Sequence, residues 1–197
     1  MIQSLANRMA SFIAKNDETA DQEVLAYGYG LLLFGAVTHA ITFGTAIVFG
    51  LFTEMLVAVA VWSVMRLVIG GCHANSRLVC NIMYMGTLYM CIVLSKFITL
   101  NFHIIAALYA LNIIILVLYA PGDTSQQPIV KGRSARKIAG IVLLSIFFLL
   151  SLLDINMPVE TSIAVLVSTL TCLFLHPVIY RMFGCEKSQH TKENELE

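Results

Sequence analysis

The sequence predicts an all-α polytopic membrane protein with about six transmembrane helices and an N-terminal interfacial amphipathic helix. Of its 197 residues, 58% are hydrophobic and only 12% are charged, which is about half the charged fraction of an average soluble domain. Several stretches approach the roughly 20 apolar residues that a helix needs to cross a bilayer. We therefore expect a single membrane domain over residues 1–197. The formal net charge is zero, so we expect no nucleic-acid partner.

Residues 1–16 are predicted to form the interfacial helix. Apolar side chains recur there at helical spacing, opposite a polar face, and they are Ile2, Leu5, Met9, Phe12 and Ile13. This pattern is typical of a helix that lies in the plane of the membrane surface. It fits two roles, docking on the bundle, which we favour, and capture of an amphipathic peptide at the membrane. The segment lacks the features of a signal peptide, so we expect no removed leader.

Six apolar stretches make up the bundle predicted over residues 24–180. Residues 24–53 contain no charge, and Glu54 alone interrupts the stretch up to Met65. We expect two spans there, with a turn near residues 43–45. The other four spans are predicted at residues 78–95, 102–119, 138–153 and 162–180. A polar loop over residues 121–137 separates the fourth span from the fifth, and residues 186–197 form a polar tail.

The basic residues predict the orientation of these spans. Six spans place both termini on one side, and eleven of the twelve basic residues then lie on that side, with only Lys96 opposite. An excess of lysine and arginine marks cytoplasmic loops. We therefore expect a multi-pass protein whose termini, and the segment around residues 66–80, lie at the cytoplasmic side.

A cluster of reactive residues lies between the second and third predicted spans. It contains Arg66, the glycine pair Gly70 and Gly71, and, seven residues apart, His73 and Cys80. Cysteine attacks as the thiolate, and a neighbouring histidine can remove its proton. Positions seven apart on an unbroken helix stand about 10 Å apart along the axis. A joint role of the histidine and the cysteine therefore requires a turn between them, which the two glycines permit.

The residues just before Cys80 favour the start of a helix. Asn75 or Ser76 is predicted to cap a helix that has Cys80 in its first turns, where the helix dipole favours a thiolate. Backbone amides near Cys80, or the side chains of Asn75 and Ser76, are candidate donors to an oxyanion. Glu54 lies about three helical turns from Arg66. We expect Glu54 to pair with a neighbouring helix or subunit rather than to take part in catalysis.

Other interpretations of the same cluster stay open on the residues alone. Arg66 and Arg77 also fit interfacial anchors whose charges reach the lipid headgroups. A zinc site formed by Cys72, His73 and Cys80 lacks an evident fourth ligand.

Two further expectations concern cofactors and thiols. A haem held between His39 and His176 has little support, since histidines within spans often only satisfy a neighbouring helix. We expect no metal and no cofactor. The five cysteines form no loop-borne disulfide framework, so we expect free thiols.

Two motifs resemble the accessory gene regulator protein B (AgrB) family of Gram-positive quorum-sensing systems. The first reads Arg66-x3-Gly70-Gly71-x-His73-x6-Cys80. The second reads Tyr119-Ala120-Pro121-Gly-Asp123-Thr124, followed by Pro128-Ile129 and a basic segment. The size, the amphipathic start and the six-span pattern agree with that family as well, so the likeness covers nearly the whole chain.

This resemblance implies a cysteine endopeptidase of the bacterial cell membrane that processes AgrD, the precursor of a cyclic autoinducing peptide. The cysteine matching Cys80 is then the nucleophile and the histidine matching His73 its base. Arg66 and Gly71 match positions linked to activity, and Gly70 stands beside them. The acyl group passes through a thioester on Cys80 to an internal cysteine of the precursor, which closes a thiolactone ring. A homodimer is also implied.

The basic segment of the predicted cytoplasmic loop is a candidate docking site for the acidic end of the precursor. Its cations are Lys131, Arg133, Arg136 and Lys137. The same charges also fit ordinary positive-inside topology. The alternative to an enzyme is a non-enzymatic peptide transporter or membrane anchor, which has no need for a reactive thiol.

Overall fold

A computed structural model describes residues 2–16, 21–72, 76–98, 100–124, 129, 132–153 and 158–185 of the chain, without the side chains of Arg77 and Pro158. These residues form eight α-helices and no strand, which confirms the predicted all-α class. The helices are α1 Ile2–Ala14, α2 Gln22–Val48, α3 Phe52–Ile69, α4 Arg77–Phe97, α5 Phe102–Tyr119, α6 Arg133–Leu153, α7 Pro158–Leu173 and α8 Pro177–Met182. The predicted polar tail, 186–197, lies outside the described residues.

Five of these helices, α2 to α6, are long and apolar enough to cross a membrane, and α7 is a shorter apolar helix. This confirms a polytopic helical membrane protein. The side of the membrane on which the termini lie stays a prediction. The single domain over residues 1–197 also stays a prediction. Within the structure, the chain divides into two compact units, Met1–Phe52 and Thr53–Glu197.

The predicted turn between the first two spans is wrong. Helix α2 continues through residues 43–45 to Val48, and the chain turns at residues 49–51 instead. Gly50 adopts a left-handed conformation there, with φ of 66°, which glycine allows at little steric cost. Gly44 stays helical because one glycine inside a helix costs only about 1 kcal/mol. A glycine alone therefore did not reveal which position ends the helix.

The predicted sixth span, 162–180, is also wrong in extent. Helix α7 ends at Leu173, and a turn leads to the separate short helix α8. Pro177 explains the break, because its ring lacks the backbone donor of a continuing helix and clashes with the carbonyl four residues earlier. His176 caps α8, with its Nδ1 accepting from the amide of Val178 at 3.3 Å.

In the first unit, α1 packs against α2. The face that meets α2 is formed by small residues, since Ala6 and Ala10 are fully buried. The larger apolar side chains Leu5, Met9 and Phe12 are exposed. The amphipathic helix is thus confirmed as a helix that docks through alanines, and its position in the membrane interface stays a prediction.

In the second unit, polar contacts join the apolar helices. Asn112 of α5 donates from Nδ2 to Thr169 Oγ1 of α7 at 3.1 Å, and both residues are buried. Lys96 at the end of α4 lies 3.6 Å from Glu54 near the start of α3. Glu54 therefore pairs with a neighbouring helix, as expected. This pair lies at the start of α3, whereas Arg66 lies in the last turn. The end of α3 can therefore carry a separate polar site.

Candidate functional site

The end of α3 is a sharp turn made by two glycines. Gly70 has φ of 70° and Gly71 has φ of 133°, values that disfavour any side chain. The helix ends at Ile69, so the chain makes the turn that the two glycines were expected to permit. The loop after α5 holds the turn in place: Gly122 donates to the carbonyl of Ile69 at 2.9 Å, and Gly71 donates to the carbonyl of Gly122 at 3.1 Å. A Cβ on Gly70 would overlap the Gly122 carbonyl oxygen.

Arg66 folds back over this turn from the last turns of α3. Its Nη2 donates to the carbonyl of Cys72 at 2.6 Å, and its Nη1 donates to the carbonyl of Gly70 at 3.3 Å. The guanidinium carbon lies 5.4 Å from the centre of the Trp62 ring, within the range of a cation–π interaction. A Cβ on Gly71 would overlap Arg66 Nη1. Gly71 thus leaves the space that the guanidinium occupies.

Cys80 lies in the first turn of α4, where the sequence predicted it. Ser76 occupies the N-cap position, although its side chain makes no capping hydrogen bond. The amide of Cys80 instead donates to the carbonyl of Ser76 at 3.0 Å. The thiol is partly exposed and outside any disulfide. Arg66 interacts electrostatically with Cys80, so the structure brings these two predicted site residues together.

Two other predicted site residues, His73 and Asn75, lie outside the described residues. The segment that contains them begins directly after Cys72, whose carbonyl accepts from Arg66, and ends directly before Ser76, the N-cap of α4. The contact between His73 and Cys80 therefore stays a prediction.

The expectation of free thiols is wrong for two cysteines, because Cys72 and Cys185 form a disulfide, with Cα atoms 5.8 Å apart. After α8, Gly184 takes a φ of 61°, and Cys185 turns back to donate to the carbonyl of Tyr180 at 2.8 Å. That turn brings Cys185 against Cys72. The two cysteines are 113 residues apart in sequence, so no local pattern indicated the pair. A disulfide leaves Cys72 no thiolate for a metal, which weakens the zinc interpretation.

Tyr180 is a site residue that the sequence did not indicate, because it stood at the end of an apolar run. It is 94% buried, and its hydroxyl has no hydrogen-bond partner among the described residues. Burial raises the pKa of Tyr180 to about 12; the charges of Arg66 and Arg133 lower it and that of Asp123 raises it. The phenol therefore stays protonated, and a hydrogen-bond donor, at neutral pH. A Cβ on Gly122 would lie 2.7 Å from its oxygen.

A cavity of about 410 Å³ opens beside this tyrosine. The loop after α5, the start of α6 and the segment leading into α8 line it, with side chains that include Pro121, Asp123, Arg133, Lys137, Leu175 and Tyr180. Asp123 is buried and pairs with Arg133 at 3.0 Å.

The basic segment of the predicted loop is mostly helical. Arg133, Arg136 and Lys137 belong to the first turns of α6, and only Arg133 and Lys137 of these line the cavity. Lys131 lies outside the described residues. The predicted loop 121–137 is therefore wrong at its end, because α6 begins at Arg133, directly after Gly132 with its φ of 76°.

Comparisons with known proteins agree with the motifs. The family model described as Accessory gene regulator B matches residues 6–179. A putative AgrB-like protein of Clostridium acetobutylicum is 26% identical over 162 residues, which cover 81% of this chain and 77% of that protein. One from Listeria innocua is 22% identical and covers 90% of both chains. The accessory gene regulator protein B of Staphylococcus lugdunensis is 30% identical over 63% of this chain and 66% of its own. No solved structure matches the chain.

Proposed function

The chain belongs to the accessory gene regulator B family, and we propose that it is a membrane cysteine endopeptidase. It cleaves the C-terminal part from an AgrD-like quorum-sensing precursor and promotes thiolactone closure of the remaining peptide. The observation that supports this most is the position of Arg66. Its guanidinium is fixed over the Gly70 and Gly71 turn and interacts with Cys80 at the start of α4.

That arrangement suits a thiol nucleophile for two physical reasons. A positive charge near a cysteine favours the thiolate, which is the form that attacks. The first turn of a helix adds the positive end of the helix dipole. The guanidinium and the amides at the start of α4 also supply donors for the negative charge that develops on the attacked carbonyl oxygen.

The proposed reaction has two steps. His73 takes the proton of the Cys80 thiol, and Sγ attacks the carbonyl of the last residue of the future ring. The C–N bond breaks, the departing amine takes the proton from His73, and the acyl group stays on Cys80 as a thioester. An internal cysteine of the precursor then attacks that carbonyl. A C–S bond to this internal cysteine forms and the C–S bond to Cys80 breaks. Cys80 takes up the proton that the internal cysteine loses.

A thiol fits both steps better than a hydroxyl. Exchange of one thioester for another is close to balance, so ring closure needs no additional energy source. The first step is uphill, since an amide is more stable than a thioester, and removal of the released fragment draws it forward. A recessed site at the membrane boundary limits hydrolysis of the intermediate by water. The cytoplasmic placement of the site and termini, the homodimer, and docking through the basic segment complete the proposal.

Cleavage of a candidate precursor by the purified protein in lipid tests this function. Mass spectrometry measures release of the C-terminal fragment. We expect release by the wild type, none by Cys80→Ala, and full release by Cys91→Ala, which removes a buried thiol from the same helix. If the wild type leaves the peptide intact, or Cys80→Ala still cleaves it, transport or anchoring of a peptide becomes the better account.

A further inference from the structure

We infer that the cavity between the loop after α5 and the start of α6 binds a carboxylate-bearing segment of the peptide substrate, with Tyr180 and Lys137 as its anchors. This inference rests on the proposed function, because that function supplies the peptide. It assigns a binding role to a tyrosine that no sequence motif marks.

The first support is the unsatisfied donor. Buried hydroxyl groups in proteins nearly always have a hydrogen-bond partner, yet Tyr180 Oη has none among the described residues although the side chain lines the cavity. Gly122 leaves the space beside this oxygen, since a Cβ there would meet it at 2.7 Å. Because the pKa of the phenol is raised to about 12, this group offers a proton to an acceptor, and a carboxylate is the strongest acceptor that a peptide provides.

The second support is the charge around the cavity. Arg133 is paired with Asp123, which leaves this couple neutral. Lys137 donates to a neutral acceptor, the carbonyl of Val117, at 2.9 Å. The two ion pairs among the described residues are Glu54 with Lys96 and Asp123 with Arg133. Within that part of the chain, Lys137 therefore forms no ion pair with a carboxylate.

The third support is the start of α6. Arg133 and Ser134, the first two residues of the helix, line the cavity, and the amides of a first helical turn point outward and favour an anion. The cavity therefore favours a negative group for three reasons. The Asp123–Arg133 pair is neutral, so Lys137 leaves a net positive charge; the first turn of α6 presents its amides; and the Tyr180 hydroxyl has no acceptor among the described residues. The volume of about 410 Å³ lies within the range of ligand pockets.

The cavity is also connected to the proposed nucleophile. Arg66 interacts electrostatically with both Cys80 and Tyr180. Gly122, which lines the cavity, is hydrogen-bonded to the glycine turn that Arg66 covers. A peptide that presents a carbonyl to Cys80 therefore has the cavity within reach. Apolar side chains such as Leu175 and Ile138 complete the wall, which suits a peptide better than a lipid headgroup.

Binding of short peptides to the full-length protein tests the inference without any cleavage. Two fluorescein-labelled hexapeptides serve as probes, one with four glutamates and the other with four glutamines at the same positions. Fluorescence anisotropy measures their affinities for the wild type, Tyr180→Phe, Lys137→Gln and Tyr109→Phe in phosphatidylcholine nanodiscs. Tyr109→Phe is the matched control, because its hydroxyl bonds to Ser151 on α6 and the residue does not line the cavity.

We expect the glutamate peptide to bind more tightly than the glutamine peptide, and Tyr180→Phe to weaken only the glutamate peptide, by about tenfold or more, as for loss of a hydrogen bond to a charged group. Lys137→Gln weakens it as well, and Tyr109→Phe leaves it unchanged. Equal affinity for the two peptides, or unchanged binding in both cavity variants, overturns the inference. Displacement of the bound glutamate peptide by a short-chain phosphatidylglycerol at lower concentration than by unlabelled peptide also overturns it.

The same assay in Cys80→Ala separates the two proposals. Binding of the glutamate peptide persists there if the cavity is the site. If the wild type binds this peptide but does not cleave the precursor, the endopeptidase proposal fails and the binding site stands. If it cleaves the precursor but ignores both peptides, the endopeptidase stands and the binding site fails.

Discussion

Replacement of Gly71 by alanine is predicted to destabilise the site through Arg66. The φ of 133° at Gly71 is strained for alanine, at a cost of roughly 1–3 kcal/mol. The new Cβ also overlaps Arg66 Nη1, so the guanidinium must leave. Its 2.6 Å bond to the Cys72 carbonyl is then lost, and a hydrogen bond from a charged group contributes about 1.5–3 kcal/mol.

A matched control separates these two effects. Gly50 also has a left-handed φ, 66°, but nothing lies within 4 Å of a Cβ there. Gly50→Ala therefore measures the strain of a positive φ without displacement of a side chain, and we expect Gly71→Ala to exceed its loss by at least about 1.5–3 kcal/mol. Unfolding by sodium dodecyl sulfate in mixed micelles, followed by circular dichroism, measures both variants.

The effects of substitutions at Gly71 and Arg66 on stability are also expected to be coupled. In an Arg66→Ala background, the penalty of Gly71→Ala falls by about 1.5–3 kcal/mol, because no guanidinium is left to displace. The account is refuted if Gly71→Ala and Gly50→Ala agree within about 0.5 kcal/mol in the wild-type background, or if Arg66→Ala leaves the penalty of Gly71→Ala unchanged.

Three further predictions concern individual side chains. Arg66→Gln is expected to slow alkylation of Cys80 by iodoacetamide at pH 7, since Arg66 interacts electrostatically with Cys80; an unchanged rate by mass spectrometry contradicts this. Cys185→Ser opens the disulfide and is expected to lower the free energy of unfolding by about 2–4 kcal/mol. Equal free energies of unfolding for variant and wild type without reductant rule out a stabilising disulfide. The pKa of Tyr180 is raised from 10.0 to about 12, so the folded state holds its proton more tightly than the unfolded state. As the pH rises from 10.0 to about 12, the free energy of unfolding of the wild type falls relative to that of Tyr180→Phe. If the two proteins lose stability in parallel over this range, the phenol is not buried.

The sequence predicted the local features of the site because each follows from its own residues. Two successive glycines end α3, and Ser76 begins α4 with Cys80 in its first turn. Both are decided by short-range backbone geometry. The apolar stretches also predicted the membrane helices, since length and hydropathy are local properties.

The features that the sequence missed depend on contacts between distant segments. The disulfide joins residues 113 positions apart, and Tyr180 lines the cavity only because α8 packs beside the loop after α5. Similarly, Asp123 and Arg133 looked like loop charges but form an ion pair in which Asp123 is buried and Arg133 is partly exposed. The two misplaced helix ends have a different cause: a glycine or a proline is compatible with several boundaries, and packing decides between them.

The measurement that tests the central claim most directly is the intact mass of the protein after it is mixed, in lipid, with a candidate precursor peptide. The account predicts a covalent adduct with the mass of the acyl portion of the peptide, released by hydroxylamine and absent in Cys80→Ala. An adduct that persists in Cys80→Ala, or a cleaved precursor that never yields a hydroxylamine-sensitive adduct under rapid quenching, contradicts the thioester route.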